Sequence, residues 1–72
     1  MNCLITSVDQ IHSGDRVQED TGTLVHRGTV AHLMFTDPDR VWVRWDQPRV
    51  TYGMGELSET TVLWKVLELI DD

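Results

Sequence analysis

The sequence predicts an all-β domain of five short strands closing into a small barrel, with a short N-terminal strand or turn as an extension. Two observations carry that expectation. The segment Arg40-Val41-Trp42-Val43-Arg44-Trp45-Asp46 alternates as a strand does, with Val41, Val43 and Trp45 on one face and Trp42 and Arg44 on the other. Turn-forming residues also recur at short intervals between β-branched and aromatic stretches, as at Ser13-Gly14-Asp15, Asp37-Pro38-Asp39, Gln47-Pro48-Arg49 and Gly53-Met54-Gly55. Closure of such a meander removes the sheet edges that invite aggregation.

Taken in order, Leu4-Ile5 predicts a short strand, followed by one turn with Val8 and Ile11 on the same side. Ser7 and Gln10 have the spacing of a capping box. Asp15-Arg16-Val17-Gln18 reads as the first barrel strand, with Val17 inward, and the polar run Glu19 to Thr23 as a loop or hairpin tip. Thr23-Leu24-Val25 is a further apolar stretch. Thr29 to Phe35 is the second main strand. Strict alternation puts Val30, His32 and Met34 on one face and Ala31, Leu33 and Phe35 on the other; both are partly apolar, which predicts a bulge or burial on both sides.

Pro38 suits position i+1 of a type I turn with Asp37 at position i. After the 40–46 strand, Gln47-Pro48-Arg49 is expected to reverse the chain, so that Val50-Thr51-Tyr52 returns antiparallel. Gly53 and Gly55 then break that strand. Glu56 to Thr60 reads as a polar link with a 3₁₀ turn near Leu57, Thr61 to Leu69 as the last strand, and Asp71-Asp72 as an acidic tail.

Seventy-two residues make one domain, 1–72, with its barrel core at about 14–67. A chain this short buries only roughly 60% of its unfolded surface. Three Trp, one Tyr and one Phe compensate, and an oligomer would bury more. Six basic residues against twelve acidic ones give a net charge of −6, which argues against nucleic acid as a partner and permits a basic one. The single cysteine, Cys3, excludes an internal disulfide. No apolar run approaches the roughly 20 residues of a membrane-spanning helix, and the first ten residues have no signal-peptide pattern. The expected setting is cytoplasmic, away from membranes.

The series Gly14-Asp15-Arg16-Val17, Gly28-Thr29-Val30, Val41-Trp42-Val43-Arg44-Trp45-Asp46, a strand with Tyr52, then Leu57 before a final Val-rich strand resembles an SH3-like barrel over residues 14–67. Barrels of this kind occur in a photosystem I accessory subunit, in KOW and Tudor-like modules and in the plasmid-type dihydrofolate reductase. The resemblance implies the fold and leaves the function open. The chain lacks the Ala-Leu-Tyr-Asp-Tyr-like motif with which SH3 domains bind proline-rich peptides. In place of the reductase's Val-Gln-Ile-Tyr it has Val50-Thr51-Tyr52-Gly53, and it lacks the basic character of RNA-binding KOW modules.

Candidate chemistry is sparse. His12, His26, His32 and Cys3 lack the close paired spacings of structural zinc, so no metal is expected. Cys3 has no neighbouring base in sequence, and the acidic pairs fall in expected loops and tails, where solvation is the default, whereas a general acid needs a buried or crowded carboxyl. Gly53-Met54-Gly55 is too short to cradle a phosphate. No catalytic residue and no cofactor are expected.

The feature above background is aromatic. With Val43 and Trp45 inward, Trp42 points outward beside Arg44, with Tyr52 on the neighbouring strand, which is the composition of an interface hot spot. The expectation is therefore a non-catalytic interaction module binding a protein partner or its own copy through Trp42, Arg44 and Tyr52. The acidic residues Glu19, Asp20, Asp37 and Asp39 would steer a basic partner. Two alternatives are an acidic inhibitor that mimics nucleic acid, as some phage-encoded proteins do, and a small oligomeric enzyme with a pore site like the plasmid-type reductase. Whether residues 1–13 cover Trp42 decides how much of that surface is free.

Overall fold

Alternation in the 40–46 segment is realised as the spine of a single antiparallel sheet. A computed structural model of the chain describes residues 3–34, 36–51, 53 and 55–70. Its strands are β1 (Cys3–Leu4), β2 (Arg16–Asp20), β3 (Val25–Leu33), β4 (Arg40–Thr51), β5 (Gly55–Leu63) and β6 (Leu67–Leu69). They lie in the order β1-β6-β2-β3-β4-β5. One-turn 3₁₀ helices occupy Val8–Gln10 and Trp64–Val66. Among the described residues no helix is long and apolar enough to cross a membrane.

The all-β class and the N-terminal strand and turn are as expected; closure is not found. The sheet has six strands and stays open, because no ladder among the described residues joins β5 to β1. The inward residues still meet. Val17, Val30, Val41, Val43, Trp45 and Leu67 are buried together, and Ile5 and Ile11 of the N-terminal segment join them. That segment is shaped by its cap. Ser7 Oγ accepts from the Asp9 N–H, while Gln10 Oε1 accepts from the N–H groups of Thr6 (2.7 Å) and Ser7 (3.3 Å). The resulting turn sets Ile11 into the core. Gly14 N–H then donates to the Val30 carbonyl, and Val30 N–H to that of Asp15, seating the start of β2 against β3.

Two bulges shape the sheet, one expected from the sequence and one that causes the main departures from it. The first lies in β3. Val30 pairs with Val43 and His32 with Trp42, so Ala31 is the extra residue. The bulge exchanges the faces of the strand, leaving Val30 in the core and turning His32 outward. The bulge expected in this strand is therefore present, in place of strict alternation of Val30, His32 and Met34; β3 begins at Val25 rather than Thr29 and ends at Leu33. Phe35 lies outside the described residues.

The second bulge lies in β4. Arg44 pairs with Glu59 and Arg49 with Leu57, so the stretch from Trp45 to Pro48 is opposed by Ser58 alone. Gln47-Pro48-Arg49 therefore does not reverse the chain. Pro48 has no N–H for the ladder, but a bulge absorbs it without ending the strand. The reversal comes after Thr51, near Gly53, whose φ of 82° is open to glycine. Glu56 to Thr60 is consequently strand rather than link. The expected last strand, Thr61 to Leu69, is split between β5, the second 3₁₀ turn and β6. Trp64 N–H donates to the Asp39 carbonyl where the chain leaves β5. Glu19 and Asp20, expected in a loop, close β2 instead. The Asp37 turn is as expected, with Arg40 N–H donating to the Asp37 carbonyl.

Candidate functional site

The outward face of β3, β4 and β5 gathers the side chains with the most to offer a ligand. Register brings His32, Trp42 and Thr61 into one cross-strand row and Arg16, Thr29, Arg44 and Glu59 into the next. Cross-strand neighbours on one face touch. The His32 and Trp42 rings stack at 5.7 Å between centroids, tilted by 37°. Trp42 remains half-buried. Arg44, its side chain 71% exposed, sends Nε to Glu59 Oε1 at 3.3 Å. A shallow depression of about 460 Å³ lies beside them, walled by Ser13 and Gly14 on one side and by His32, Arg44 and Glu59 on the other. Ser13 Oγ donates to the Ala31 carbonyl at the bulge. The end of the N-terminal segment thus flanks this face at β3 and helps to wall it.

Next to this surface an ion pair ties three strands. Arg16 of β2 makes a bidentate contact with Asp46 of β4, at 2.7 Å to Oδ1 and 2.6 Å to Oδ2, and Nη1 also donates to Thr29 Oγ1 of β3 at 3.0 Å. Hydrogen bonding and charge from Arg16, with added charge from Arg27, hold the Asp46 carboxyl below its ordinary pKa of 3.8.

A separate cluster occupies one end of the inner face. Trp45 is buried, and its Nε1 donates to Thr60 Oγ1 at 2.8 Å. The His26 ring meets it edge-on at 6.1 Å, and the Arg49 guanidinium lies 4.7 Å from its ring centroid. Arg49 in turn contacts Glu19 at 2.6 Å, an ion pair without hydrogen-bond alignment. A cation over an aromatic ring and beside a carboxylate is held from both sides. These contacts stabilise the end of the core and leave Arg49 only partly accessible.

The expected site residues are therefore divided. Trp42 and Arg44 lie together on the outward face. Asp37 borders that strand: its Oδ1 accepts from the Asp39 N–H, and its carboxylate pairs with Arg40 at 3.3 Å. Glu19 is committed to Arg49, and Asp20 accepts from the Gly22 N–H at 2.9 Å. Both lie at the far end of the sheet, where His26 and Val25 of β3 pair with them; His32 is about 20 Å along that strand. Tyr52 lies outside the described residues.

His32 belongs to the surface and was missed because strict alternation assigns it to the face of Val30. The only signal was the mixed polarity of both faces. The Arg16–Asp46 pair spans thirty positions and left no local signal. Among the described residues no group of three or more His, Cys, Asp or Glu is placed to hold a metal ion. Compared with family models, with curated proteins and with solved structures, the chain finds no match in any of the three.

Proposed function

We propose that this chain is a non-catalytic binding module that receives a protein partner on the outward face formed by His32, Trp42 and Arg44. One observation carries the reading: a Trp stacked on a His, half-buried and beside an exposed Arg, stands on the solvent side of the sheet, while the core is already filled by Val41, Val43 and Trp45. Aromatic rings and Arg on a rigid strand are the groups that dominate binding energies at protein interfaces. The strand order supports reading the fold as an open SH3-like arrangement. Without β1, the last strand returns beside the first after a 3₁₀ turn, and the remaining three follow in sequence.

The placement of charge favours this reading over mimicry of nucleic acid. Glu19, Asp37, Asp46 and Glu59 are each ion-paired with an arginine, so the acidic surface is interrupted rather than continuous. Asp37 and Asp39, in the turn that leads into β4, would favour a partner with basic residues at the rim.

The test compares capture by the wild-type chain with capture by Trp42→Ala and Arg44→Glu, each verified as folded by circular dichroism. A partner retained by the wild type should lose roughly thirtyfold or more in affinity to Trp42→Ala. Equal retention by all three chains would remove this face from the interface.

A further inference from the structure

The open end of the sheet presents a second surface, made of backbone. β5 forms a ladder with β4 on one side, and among the described residues no backbone hydrogen bond reaches its other side. The residues Leu57-Ser58-Glu59-Thr60-Thr61-Val62-Leu63 contain no Pro or Lys, two usual protections of an exposed edge, and their one charge, Glu59, is paired with Arg44 of β4. An unpaired row of N–H and C=O groups is completed by another strand.

We propose that the strand is the β5 of a second copy, paired antiparallel about a two-fold axis through Thr60. The register follows from side-chain alternation. A two-fold perpendicular to a sheet keeps each face on its own side, so a residue of β5 must lie opposite itself at the axis. Centring on Glu59 opposes two carboxylates directly, a destabilising pair. Centring on Thr61 sets Leu63 against Glu59. Centring on Thr60 sets Thr60 against Thr60, Glu59 against Thr61, Ser58 against Val62 and Leu57 against Leu63. Every pair is then compatible, and apolar side chains meet at both ends. Leu63, 40% exposed in the single chain, gains a partner.

The pairing does not depend on what Trp42 binds, though it would join two such faces in one sheet. Because each copy carries −6, their repulsion is screened by salt, and self-association strengthens as ionic strength rises. A basic peptide on the same edge would bind more weakly as salt rises.

Sedimentation equilibrium of the full chain, carrying Cys3→Ser to exclude a disulfide dimer, tests the proposal with a pair of opposite substitutions. Thr61→Glu sets a second carboxylate against Glu59 of the other copy at two symmetric positions and should weaken the dimer by about tenfold; Thr61→Lys should tighten it. Should Thr61→Glu fail to fold, tightening by Thr61→Lys, together with a wild-type dimer that strengthens as salt rises, decides the matter. A chain that stays monomeric at millimolar concentration, or whose dimer responds to neither substitution, overturns the proposal. So does a monomer whose β5 amides gain exchange protection only from an added Lys-Thr repeat peptide, which would assign the edge to a basic partner strand.

Discussion

Gly28 marks the tightest residue-scale constraint in the sheet. It is buried where β3 pairs with β4, opposite Trp45, and a Cβ added there would stand 2.6 Å from the Arg44 carbonyl oxygen and 2.8 Å from Val43 Cγ1. The nearer atom is backbone, which cannot step aside as a side chain can. Gly28→Ala should therefore lower stability by about 1–3 kcal/mol through overpacking, measured by urea denaturation. An unchanged midpoint would show that the two strands can separate without loss. The neighbouring Trp45 shows the complementary device. Its indole is fixed by Thr60, His26 and Arg49 together, so its polar edge is satisfied although the ring is buried.

At the scale of elements, the Arg16–Asp46 pair ties β2 to β4 across β3. The folded-state pKa of Asp46 is depressed, so its stabilising contribution is present above the ordinary carboxylate value and lost as pH falls through the depressed one. Asp46→Asn should remove that part of the acid sensitivity. Its cost at neutral pH should stay under about 1 kcal/mol, since the Asp46 side chain is 49% exposed and solvent screens the pair. Thermal melts of both chains at pH values above and below 3.8 check this. Parallel acid profiles would show the pair to be energetically silent.

The same scale explains what could be read from the sequence. Val41, Val43 and Trp45 declared their inward face because each strand residue has a fixed side once the period is two. The N-terminal turn was legible because Ser7 and Gln10 cap locally. The β3 bulge showed in the mixed polarity of both faces of its strand, but not the residue at which it falls; the β4 bulge left no signal, since nothing in Gln47-Pro48-Arg49 distinguishes a kink that continues from one that reverses. For that reason Glu56 to Thr60 reads in sequence as a polar link, although it forms the strand at the open edge of the sheet. Trp42 and Arg44 were found because they share the clearest strand, whereas His32 required the β3 bulge to reach them.

For the whole molecule, stability should be graded from the centre of the sheet outward. β3 and β4 are paired on both sides and hold Val30, Val41, Val43 and Trp45, whereas β1 is two residues pairing only with β6. Native-state hydrogen exchange should show the slowest amides in β3 and β4, opening only with global unfolding, and fast exchange by local opening in β1. Protection of Leu4 equal to that of Val43 would show instead that the sheet opens as a single unit.

The position of β6 between β1 and β2 has a consequence for the order in which the chain is made. Leu67 is a core residue, yet the strand that carries it is the last of the six. On a ribosome, β2 to β5 emerge as successive hairpins that can zip together locally. During that time β1 has no partner, and the inner face lacks Leu67. The nascent sheet therefore waits with its hydrophobic side incomplete until the last strand clears the exit tunnel and slots between the two earliest ones.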